Sequence, residues 1–86
     1  MSVAVTEAVA AAIRTVLRDT GRDVKSIAPD SLLAADLSID SLDLAQTIVL
    51  LERSLGVDPF RSPSPVRPVV RTVSDLVDIY QRALPQ

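Results

Sequence analysis

Apolar residues recur at helical spacing in three stretches of this chain, and that pattern sets what it can fold into. From Val3 to Asp19, the residues Val5, Ala8, Val9, Ala12, Ile13, Val16 and Leu17 line one side, while Glu7, Arg14, Thr15 and Arg18 fall opposite. The spacing predicts an amphipathic helix of about four turns. Gly21 stands where a left-handed C-terminal cap would end it. A second stretch, Asp40 to Leu55, begins with a good N-cap residue and has an acid three residues later, the pattern of a capping box. Gly56 closes it. A third, Val73 to Leu84, has Thr72 or Ser74 as cap candidates, Leu76, Val77, Tyr80 and Leu84 on one face, and Pro85 as a stop.

Residues 1–86 suffice for one domain. Only 2% of them are aromatic, so Ala, Val, Leu and Ile must fill the core, as in helices packed through small aliphatic faces. Two glycines leave little room for tight hairpins. Between the first two helical stretches, residues 22–39 contain Pro29 and several Asp and Ser, interrupted by Ile27, Leu32, Leu33 and Leu37. This predicts a long loop held by apolar anchors. Residues 57–71 hold Pro59, Pro63, Pro65 and Pro68, which allow at most a short helical turn near Val66 to Val70. The expected fold is all-α: a small bundle of four unequal helices with a long first loop and a short, Pro-interrupted third helix.

The chain contains neither cysteine nor histidine. Disulfides and thiolate chemistry are excluded, and the commonest general base and metal ligand is missing. No apolar run approaches membrane length, and the N-terminus lacks signal-peptide character, so a cytoplasmic protein is expected. Charge is uneven. Residues 30–60 carry a net −5 within a chain of net −2, which disfavours nucleic acid and suits basic protein surfaces.

The second helix carries apolar residues on two faces. Leu44, Ile48, Leu51 and Leu55 form the stripe expected to face the core. Leu42, Ala45 and Val49 lie well away from it, and in so small a domain a partner surface is the better reading.

Ser41 is the candidate for chemistry. It opens a helix directly after a loop, where unpaired amides and the helix dipole tolerate a phosphodiester, although Asp40 and Asp43 oppose it. Spacing alone favours the plainer reading, a polar helix starter beside its Asp cap. A catalytic serine would need a base held by a third group, and Lys25 is the one distant candidate. The acids Asp36, Asp40 and Asp43 lack the glycine and glutamate of a calcium loop, and a hydrolase would have only Phe60 and Tyr80 as substrate-binding aromatics. No catalytic residue and no metal site is expected.

The run Asp36-Leu37-Ser38-Ile39-Asp40-Ser41-Leu42-Asp43-Leu44 resembles the signature of acyl carrier proteins, in which the serine of Asp-Ser-Leu receives 4′-phosphopantetheine. The likeness continues through Ile48-Val49-Leu50-Leu51-Glu52, the turn Leu55-Gly56-Val57 and the start of the last helix at Thr72-Val73-Ser74-Asp75-Leu76-Val77. It implies that Ser41 is the attachment residue, drawing the arm from coenzyme A, and that Asp40 assists a phosphopantetheinyl transferase. Leu42, Ala45 and Val49 match the exposed side of the recognition helix, with Asp36, Asp43 and Glu52 meeting basic side chains of partner enzymes. Further partners implied are acyltransferase, ketosynthase or adenylation-type loading enzymes, served by a monomeric carrier that is not itself an enzyme. Gln46 and Arg53 occupy positions of that helix that are often acidic in fatty-acid carriers, and Ser38 stands where many members have glycine. These departures resemble a discrete carrier from a polyketide or polyketide–peptide pathway. A peptidyl carrier loaded with an amino acid is the near alternative, although Ser38-Ile39-Asp40-Ser41 lacks its Gly-Gly approach. An unmodified helical interaction module is the alternative from a different class.

Overall fold

The computed structural model describes residues 3–22, 26–57, 59 and 70–84. Three helices occur among them: α1 (Val3–Asp19), α2 (Ser41–Leu55) and α3 (Val73–Ala83). They agree with the three helical stretches read from the sequence. The short turn expected near 66–70 falls almost wholly outside the described residues, as do Lys25 and Phe60. The described part is therefore a three-helix arrangement without a strand.

Helix α1 is the centre of the fold and packs against both α2 and α3. Its residues Val5, Val9, Ala12, Ile13, Val16 and Leu17 are buried, the side that the 3.6-residue period selects. Gly21 follows in the left-handed region (φ 73°), and the Arg22 amide bonds the Leu17 carbonyl at 2.8 Å. From α3, Leu76, Val77 and Tyr80 enter the same core. Tyr80 is fully buried, and its hydroxyl reaches the Ile48 carbonyl of α2 in a long 3.4 Å bond.

The first loop is ordered where it crosses the end of the bundle. Leu33, Leu37 and Ile39 are buried, and Ile27 packs against them in part. Leu32, expected among the anchors, is instead 43% exposed. Leu32 and Thr72 pair antiparallel like one rung of a sheet. The Leu33 amide donates to the Arg71 carbonyl at 2.9 Å. In return, the Val73 and Ser74 amides of α3 donate to the Ser31 and Pro29 carbonyls at 3.1 and 2.8 Å. The next amide, Asp75, bonds the Thr72 hydroxyl at 3.1 Å. The orphan donors of the α3 start are thus satisfied by the loop and the cap. This fixes the loop that delivers the chain to Ser41. No helix among the described residues is long and apolar enough to cross a membrane.

Candidate functional site

Ser41 is exposed and is the first residue of α2. Asp40 precedes it as N-cap in extended backbone. The Asp43 amide donates to the Asp40 carboxylate at 2.8 Å, and the Asp40 amide to the Asp43 carboxylate at 3.3 Å, closing a reciprocal capping box. The amides of Ser41 and Leu42 have no partner among the described residues. The positive end of α2 is therefore left open to a phosphate on the Ser41 hydroxyl, while the Asp40 and Asp43 carboxylates oppose its charge.

The loop turns into the helix through Ser38, whose φ of 57° places it in the left-handed region. Glycine occupies such a position without strain, whereas a side chain crowds the following carbonyl. The serine noted in the sequence as standing where glycine is common is the residue that takes this conformation.

A groove of about 290 Å³ opens beside the helix start, lined by Leu32, Leu33, Ile39, Ser41, Leu44 and Val70 among others. Its apolar walls border the one hydroxyl at the helix entrance. A second groove, of about 330 Å³, lies between α1 and α2 along Val16, Ala45, Gln46, Val49 and Leu50.

On α2, Leu42 is 71% and Val49 46% exposed, and Ala45, Gln46 and Arg53 are exposed with them. Glu52 is half-buried. Asp36 is exposed, although its carboxylate already accepts the Leu32 amide at 2.8 Å. Asp43, expected to meet basic side chains of a partner, is already engaged within the chain. It is 6% exposed and pairs with the Arg22 guanidinium at 2.5 Å. The Arg22 hydrogen bond, with the Asp40 amide, holds its carboxyl below the usual carboxylate range despite the opposing effect of desolvation.

The core face of α2 also differs from the expected stripe. Its buried line is Asp43, Thr47 and Leu51, with Leu44 and Leu55 packed at its edges. Thr47 is fully buried because its hydroxyl bonds the Asp43 carbonyl at 2.9 Å, which leaves only its methyl to the core. Sequence reasoning missed Arg22 at the site and Thr47 in the core. The i, i+4, i+8 spacing of Asp43, Thr47 and Leu51 was a signal, masked by two polar residue types.

Among known families, the model of the phosphopantetheine attachment site matches residues 7–60. The chain belongs to this family: it is a carrier protein of the phosphopantetheine-bearing class, whose members work with phosphopantetheinyl transferases and biosynthetic enzymes. Its cofactor is covalent 4′-phosphopantetheine. Neither the curated proteins nor the solved structures provide a significant match. The residues present fit the group: an exposed hydroxyl, open helix amides and a neighbouring apolar groove.

Proposed function

We propose that Ser41 carries the phosphopantetheine arm and that the chain is a discrete acyl carrier protein of a polyketide or polyketide–peptide pathway. The observation that carries this reading is Ser41 itself, exposed at a capped helix start inside an Asp-Ser-Leu triplet and within the family match. The arm supplies a terminal thiol that holds cargo as a thioester, chemistry a cysteine-free chain lacks. This chain's residues do the rest. Asp40 and Asp43 fix the helix start, Ser41 offers its hydroxyl, and the apolar groove beside it favours acyl cargo over a charged aminoacyl group.

The exposed side of α2, through Leu42, Ala45, Gln46, Val49 and Arg53 with Glu52 at its margin, is the surface we assign to the transferase and to acyltransferase or ketosynthase partners. The carrier is assigned to the cytoplasm as a monomer, where coenzyme A is available to the transferase.

The test is intact mass after incubation with coenzyme A, Mg²⁺ and a promiscuous phosphopantetheinyl transferase. One phosphopantetheine of added mass is expected for the wild-type chain and none for Ser41→Ala. An unchanged wild-type mass, beside a control carrier that is modified, would overturn the reading.

A further inference from the structure

The turn that follows α1 reaches the Ser41 region through the Arg22 side chain. The Arg22 guanidinium donates to the Ser38 carbonyl through one nitrogen and to the Asp43 carboxylate through another. Ser38 lies three residues before Ser41 and Asp43 two residues after it. One prong therefore grips the strained last bend of the loop, and the other the buried acid of the first helical turn.

Helix capping alone does not call for this. Helix α3 starts with the same reciprocal box, Thr72 with Asp75, and among the described residues the Asp75 carboxylate accepts only the Arg71 and Thr72 amides, each at 3.0 Å. Among the described residues, a guanidinium–carboxylate ion pair forms at the helix start that presents Ser41, whereas Arg71 acts on Asp75 through its charge without such a pair. A guanidinium holds two acceptors at a fixed angle, which a lysine ammonium on a flexible stem does not.

We propose that Arg22 is a positioning residue for the loading of Ser41, acting through Ser38 and Asp43; the proposal rests on the reading of Ser41 as the attachment point. In that step the Ser41 oxygen forms a bond to the phosphorus bearing pantetheine as the pyrophosphate P–O bond of coenzyme A breaks. Adenosine 3′,5′-bisphosphate leaves, and the hydroxyl proton passes to a base on the transferase. Arg22 touches none of the reacting atoms. It holds the peptide on both sides of Ser41 so that the hydroxyl arrives in one pose, and small misplacements of a nucleophile are costly.

The experiment is steady-state loading by a phosphopantetheinyl transferase, read by intact mass, for wild type, Arg22→Gln, Asp43→Asn and the double variant. Each is assayed at a temperature where circular dichroism shows full helicity. We expect kcat for Arg22→Gln to fall about tenfold, with KM for the carrier within about twofold because the exposed face of α2 is intact. The double variant should be as slow as Arg22→Gln alone. A wild-type kcat in Arg22→Gln, or losses that multiply in the double variant, overturns the proposal. Should Arg22→Gln not fold, Arg22→Lys decides, since a slowed kcat supports the two-pronged role and a wild-type kcat refutes it. A wild-type chain that gains no mass refutes the attachment reading and removes this proposal with it, a result distinct from slow variants of a chain that loads.

Discussion

Asp40 and Asp43 hold the start of α2 reciprocally, each accepting the other's backbone amide, at 2.8 and 3.3 Å. Asp43 has the Arg22 cation beside it as well, a charge-assisted contact that requires its carboxylate form.

Stability is therefore expected to depend on pH through Asp43, and through Asp75, whose carboxyl the Arg71 and Thr72 amides also hold below its ordinary 3.8. In the unfolded chain these groups protonate first as pH falls, so their contribution is complete above the ordinary value and disappears as pH drops through the lowered folded value. Urea midpoints measured from roughly pH 6 down to pH 2 should decline below about pH 4. Asp43→Asn should decline less steeply. An identical slope in wild type and variant would contradict the pairing.

Ser38 has a left-handed backbone with a side chain attached. Ser38→Gly should raise stability by a few tenths to about 1 kcal/mol, the relief of strain exceeding the added freedom of the unfolded chain. Ser38→Val should lower it by about 1–2 kcal/mol, since a branched side chain is least tolerant there. Thermal unfolding checks both. Equal melting temperatures for the two variants would contradict the assigned conformation.

The two sides of α2 should separate stability from partner recognition. Leu51 is fully buried, and Leu51→Ala should cost about 2–5 kcal/mol in chemical denaturation. Leu42 is largely in solvent, and Leu42→Ala should change stability by less than about 0.5 kcal/mol. The same Leu42 variant should slow transferase loading about fivefold to tenfold through a raised KM, the effect of removing an apolar anchor from an interface.

The helices were legible because aliphatic residues repeat with the helical period and because caps announce themselves, as Asp40, Gly21, Gly56 and Thr72 do. Ser41 was legible for the same reason: a helix start is a local feature of the chain. What escaped was set by tertiary contact. Asp43 read as solvent-facing, since nothing local announces that an arginine twenty-one residues earlier folds back to cover it. Thr47 is polar by type, and its burial depends on a hydroxyl bond within its own helix that the apolar pattern does not reveal. Leu32 counted as an anchor with Ile27, Leu33 and Leu37 for its apolar side chain, but in the rung it forms with Thr72 Leu32 is exposed while Leu33 is buried.

The most direct test of the account is fragment-ion mass spectrometry of the chain after loading. The account predicts that every fragment containing Ser41 carries the phosphopantetheine mass, and that fragments ending before it, with Ser31 and Ser38, do not. Modification on another residue, or an unmodified Ser41 in a chain that has gained the mass, would contradict it.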